Sequence, residues 1–191
     1  MSDDLKEAQT EVLRKVGRNV VLLQYLERLL KSVLNDRHIS GYISELPAKH
    51  RQRKALIHKQ TMGQLVGQYC DQTAPNSGAE PAELKEAWIY LTITIEGTQE
   101  EQEVFASLSE VVIERNELIH HFLPKWDILS IDSGRAVEQH LDQQRDKILP
   151  VVAHLESLVQ AMQEIKKDLA TALANPDFLQ QFLDRKLDEQ D

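Results

Sequence analysis

Arg115, Asn116 and His120 bring a guanidinium, an amide and an imidazole together in the stretch Arg115-Asn116-Glu117-Leu118-Ile119-His120. An α-helix turns roughly 100° per residue. On that geometry Val104, Leu108, Val111, Val112, Leu118, Ile119 and Phe122 share one broad apolar face. Arg115 projects near the middle of that face, while Asn116 and His120, four residues apart, stack at its edge. Glu110, Glu114, Glu117 and His121 are expected on the polar side. An arginine in an apolar stripe must be paired, hydrated or held at an interface. Two placements therefore stay open for Arg115: an ion pair with a carboxylate of a neighbouring helix, or a position open to a cleft.

Arg followed by Asn, three further residues and His, near the end of a helix in a helical chain, resembles the signature of the HEPN superfamily (higher eukaryotes and prokaryotes nucleotide-binding). Arg115, Asn116 and His120 stand at that family's functional positions. The resemblance implies a four- or five-helix bundle that dimerises so that two motifs face each other. Many such proteins are metal-independent endoribonucleases of toxin, phage-defence or RNA-processing systems, and others are inactive binding modules. A subgroup carries Tyr two residues after the His as a site of nucleotidyl modification; this chain has Phe122 there.

The residue types suit that chemistry. RNA supplies a neighbouring 2′-hydroxyl as nucleophile. A histidine moves a proton near neutral pH, an arginine holds phosphate and offsets developing charge, and an asparagine orients a phosphate oxygen or the ring. One helix supplies one such His120, so acid and base at both ends of the bond require a second copy. His121 lies on another face and reads as solvated.

The 191-residue length suits one domain, with a core bundle over about 4–130 and long C-terminal helices over about 132–187. Apolar residues are 41% and charged residues 28%, and no long uncharged apolar run marks a membrane span. Met1-Ser2-Asp3-Asp4 lacks a secretory pattern, and the single Cys70 excludes an intramolecular disulfide, so a cytoplasmic location is expected. The histidines have no metal-ligand spacing with it, and neither metal nor cofactor is expected. The formal charge of −9 argues against non-specific coating of nucleic acid. A local phosphate-binding surface is still expected at Lys49, Arg51, Arg53 and Lys54, with a solvated helix start as the alternative.

The elements that must position these residues read as helices almost throughout. One amphipathic pattern runs from about Asp4 to Asn35, and Arg37–Leu46 reads as a connector broken by Gly41 and Pro47. Helices follow over Ala48–His58 and, with Thr61 as N-cap, Thr61–Tyr69. Gly63 and Gly67 suggest close helix approach. The stretch 71–80, with Pro75, Asn76 and Gly78, is the clearest loop. Pro81 opens a helix that takes in Trp88 and also Leu91-Thr92-Ile93-Thr94-Ile95, because a lone strand would have no partner. Thr98 caps the motif helix and Pro124 ends it, with Trp126 plugging the core edge. Asp132-Ser133 caps a helix reaching about Ala174, kinked or divided at Pro150, whose near-heptad seam serves either bundle packing or a coiled-coil dimer. Phe178–Leu187 reads as a short final helix.

The expected fold is thus all-α, an up-and-down bundle of four to five main helices with a long C-terminal helical extension. The expected function is a HEPN-type endoribonuclease acting as a homodimer on RNA, in a toxin, defence or stress role, with a neutralising antitoxin protein as possible partner. The alternative is a non-enzymatic interaction or nucleotide-binding module in which Arg115 and His120 are structural.

Overall fold

The computed structural model describes residues 2–71, 88–93 and 98–175. Five helices form the bundle: α1 (Asp3–Asp36), α2 (Leu46–His58), α3 (Met62–Cys70), α4 (Gln99–His120) and α5 (Ile131–Leu173). Two short strands, β1 (His38–Tyr42) and β2 (Trp88–Thr92), pair antiparallel, His38 opposite Thr92 and Tyr42 opposite Trp88.

The helices alternate in direction. α2 returns along α1, with Asn35 against His50 and the Arg53 Nη2 donating to the Leu34 carbonyl at 2.9 Å. α3 and α4 are antiparallel: Gly63 faces Val112 and Tyr69 packs edge-on against Phe105. α4 opposes α5 through Glu101–His154 and Glu114–Lys147. As first and fifth members of this series, α1 and α5 run parallel. Their contacts advance together: Ala8 beside Gly134, Lys15 on Asp142, Tyr25 on Glu156, Asp36 on Lys166.

Leu26, Leu30 and Val33 of α1, Leu65 and Tyr69 of α3, Leu108 and Val111 of α4, and Leu141, Ile148 and Leu155 of α5 build the core. Each such side chain stabilises the fold by about 1.5–3 kcal/mol relative to exposure. α5 belongs to this core as far as Met162, which is buried; Ile165 is exposed beyond it. The seam is therefore covered within the chain over most of its length. The α5 helix continues through Pro150, which neither ends nor divides it.

Several sequence expectations are corrected. Trp88–Thr92 is a strand, not helix, because the expected connector after α1 holds its partner, His38–Tyr42. Gly41 lies inside that partner at φ 147°, a conformation disfavoured for other residues, where a Cβ would stand 3.0 Å from the Lys49 Nζ. Pro47 starts α2 rather than breaking a helix. Ser130, not Asp132 or Ser133, caps α5, accepting from the Ser133 N–H at 3.2 Å. Gly67 has nothing within 4 Å of an added Cβ, and Gly63 meets Val112 only at 3.8 Å, so neither glycine serves close helix approach. Thr61 and Thr98 cap α3 and α4 as expected, Thr61 through a full capping box with Gln64. The expected loop at 72–80, the helical start at Pro81 and the final helix Phe178–Leu187 lie outside the described residues.

Candidate functional site

α4 carries the motif over its last turn and a half. It ends at His120, where His121 takes up a non-helical conformation, and Leu123–Lys125 forms a single 3-10 turn containing Pro124. Pro124 has no N–H to extend the ladder. Trp126 is buried and leans on Phe122, 5.7 Å between ring centroids, closing the end of the core.

Arg115 is half-buried and faces α1. It lines a groove with Val20, Leu23, Gln24 and Glu27 of α1, Met62 of α3 and Ile119. Among the described residues no carboxylate lies within 4 Å of its guanidinium; Nη1 donates instead to the Asn116 Oδ1 at 3.0 Å. Of the two placements open from sequence, the cleft is the one observed. The apolar face of α4 turns to the core through Leu108, Val111 and Leu118, but Ile119 is 45% exposed, and α1, α3 and α4 do not close over Arg115.

Asn116 and His120 are exposed on the outer side of α4. They share it with Ile113, three and seven residues before them, which is 64% exposed. The His120 ring lies 6.3 Å from that of His121, edge to face. Arg115 and Asn116 are thus joined, and His120 stands one turn further on, at the helix end.

Glu114 departs from its expected solvent side. Its carboxylate accepts from the Lys147 Nζ at 2.7 Å and the Gln144 Nε2 at 3.3 Å. Burial pushes this carboxyl upward, but Lys147, Gln144 and His140 outweigh it and leave it below the usual range. Gln144 also donates to the Glu114 carbonyl at 3.1 Å and accepts from the buried Asn19 Nδ2 at 2.9 Å. This chain of amides fixes α4, immediately before Arg115, against α1 and α5.

The basic stretch of α2 is divided by its helix. Arg53 turns inward to the Leu34 carbonyl, and burial lowers its pKa. Lys49 pairs with Glu45 at 2.9 Å and lies over the Trp88 ring, 5.4 Å from its centroid. Arg51 and Lys54 are exposed. The four side chains therefore do not form one surface: Lys49 and Arg53 border a pocket against β1, and Lys54 faces α1 on the other side.

Two polar clusters had no signal in sequence because their members come from distant segments. His38 bridges the Thr92 Oγ1 through Nδ1 at 2.9 Å and the Ser40 Oγ through Nε2 at 3.0 Å. Burial, and secondarily Arg53, lowers its pKa. Tyr69, His154 and Glu101 form the second, with 3.2 Å from the Tyr69 hydroxyl to the His154 Nε2 and 3.3 Å from there to Glu101. Burial pushes the Tyr69 phenol well above its usual range. The buried Arg37 joins the end of α1 to the end of α3, donating to the carbonyls of Gln68, Tyr69 and Asp71. A cation is favoured there by the helix dipole.

No family model, curated protein or solved structure matches this chain. Among the described residues, no helix is long and apolar enough to cross a membrane, and no three His, Cys, Asp or Glu side chains converge as a metal site.

Proposed function

We propose that the protein is a metal-independent endoribonuclease of HEPN type that acts as a homodimer, in a toxin, defence or stress role. The observation that carries this reading is Arg115: a half-buried side chain with no ion pair among the described residues, facing a groove and tethered to Asn116 one turn from an exposed His120. A fully buried structural arginine would be closed in by carboxylates; Arg115 instead keeps its head group open at the groove.

In the proposed reaction the 2′-hydroxyl of RNA attacks the adjacent phosphorus. The bond to the 5′-oxygen breaks, leaving a 2′,3′-cyclic phosphate and a 5′-hydroxyl. One His120 accepts the 2′-hydroxyl proton, and His120 of a second copy delivers a proton to the departing 5′-oxygen. Arg115 offsets the charge on the non-bridging oxygens, and Asn116 sets the guanidinium's orientation. The exposed Ile113 gives the outer side of α4 an apolar contact for the second copy.

A neutralising protein partner belongs to the same reading, and the α4 surface is where it would block the site. The same exposed isoleucine also favours the second reading, a non-enzymatic interaction module that uses α4 as its contact surface.

The deciding experiment is cleavage of RNA in EDTA by wild type, Arg115→Ala and His120→Ala, each folded and in the same oligomeric state. Cleavage abolished by both substitutions supports the proposal. No cleavage by wild type, or equal cleavage by all three, removes it and leaves the interaction module.

A further inference from the structure

A cleft with a charge opposite to the whole chain lies between α1, α2 and α5. Arg28 and Lys31 of α1, Lys54 of α2 and Lys166 of α5 line it, with Asp36 the one carboxylate in its lining among the described residues. The chain as a whole carries −9. Lys31 is held by Glu27 at 2.6 Å and Lys166 by Asp36 at 2.5 Å, which fixes both ammonium groups at the walls. Arg28 and Lys54 make no ion pair among the described residues; Arg28 lies over the Tyr25 ring, 4.9 Å from its centroid, and both keep a charge that no carboxylate offsets. His50 and His58 of α2 complete the rim.

The cleft also has an amide, Asn35. It lines the cleft and is only 8% exposed. Its Nδ2 donates to Asp36 and lies 3.2 Å from the His50 Nε2, but its Oδ1 is buried without a partner. A buried acceptor left unpaired is costly, and this one, with no accessible surface, belongs to the packing at the end of α1 and not to the ligand-facing wall. Cations set on three helices along one cleft match a chain of phosphodiesters better than a single small anion.

The cleft also continues the Arg115 groove. The groove takes α1 from Val20 to Glu27, and the cleft takes it from Arg28 to Asp36. At a rise of 1.5 Å per residue, Leu23 and Lys31 are about 12 Å apart along the axis. We propose that this cleft binds the phosphodiester backbone of single-stranded RNA, with Arg28 and Lys54 contacting phosphates. The choice of RNA rests on the ribonuclease reading; the cleft's charge does not.

The test measures binding, not cleavage. A fluorescent single-stranded RNA is titrated in EDTA at several salt concentrations, using the full chain with His120→Ala so that the RNA stays intact. Adding Arg28→Gln and Lys54→Gln should weaken binding at least tenfold. It should also lower the slope of log K against log salt by about 1.4, since each phosphate contact to a single strand contributes roughly 0.7. The control pair Lys6→Gln and Arg14→Gln removes the same charge near the start of α1 and should change affinity less than about twofold. Equal losses in both pairs, or none in the cleft pair, overturn the proposal, as does tripolyphosphate binding tighter than RNA. Cleavage by wild type with unaltered binding by the cleft variant would remove the cleft and spare the ribonuclease. No cleavage with binding lost in the cleft variant would do the reverse.

Discussion

The Arg115 Nη1 donates to the Asn116 Oδ1 at 3.0 Å, a contact between successive residues of one helix. Neighbours at that spacing ordinarily diverge by about 100°. Here the guanidinium folds back toward the outer edge of α4, so Asn116 holds Arg115 at the mouth of the groove. If cleavage is the function, Asn116→Ala should lower kcat/KM roughly tenfold, whereas Arg115→Ala should lower it at least ~100-fold, the usual scale for losing a group that stabilises transition-state charge. Kinetics of the two variants at matched folding check this; a larger loss for Asn116→Ala would mean that the amide itself contacts the phosphate.

Ile113 has the side chain through which a second copy would be felt. It is 64% exposed, so Ile113→Lys should change the stability of the isolated chain by no more than about 0.5 kcal/mol. The expected outcome is a shift from dimer to monomer in sedimentation, with cleavage falling in parallel. A dimer that persists with full activity would place the interface elsewhere.

The amide chain Asn19–Gln144–Glu114 makes a prediction about stability alone. Gln144→Leu leaves the buried Asn19 amide with one partner fewer and removes two donations to Glu114. The cost should be about 2 kcal/mol in denaturant unfolding. Adding Asn19→Leu should cost less than the sum of the two single changes, because the two residues share one network. Additive losses would show that the amides act independently.

Acid should destabilise the protein in two stages. The pKa of His38 is lowered by burial, so the unfolded chain binds its proton first, and stability should begin to fall below about pH 6.5. Glu114 and Asp142 are held low, Glu114 against its burial by Lys147, and Asp142 by hydrogen bonds from Lys15 and Arg18. Their stabilisation is present above their unfolded values, 4.5 and 3.8, and is lost as pH falls through the lower folded ones. Thermal melts from pH 7 to pH 3 should show both stages. His38→Asn should remove the first and leave the second; an unchanged profile would assign the first stage to another group.

Local pattern made most of the helices legible. Amphipathic spacing reported α1 and α5, Thr61 and Thr98 announced their caps, and Pro124 marked the end of α4, since each signal acts within a few residues of the structure it dictates. The Arg-Asn-x-x-x-His spacing and its place at a helix end were likewise readable from Arg115, Asn116 and His120. The tertiary structure alone decided what depends on distant partners. Leu91 and Thr92 became strand because His38–Tyr42, some fifty residues earlier, offered a ladder. Glu114 turned inward because Lys147 and Gln144 meet it from α5. Whether Arg115 would be paired or open was undetermined until α1, α3 and α4 were set side by side, because helical periodicity gives the direction of a side chain and not what stands opposite it. The cleft of Arg28, Lys54 and Lys166 has the same origin: three residues on three helices share no sequence spacing, and only packing gathers their charge.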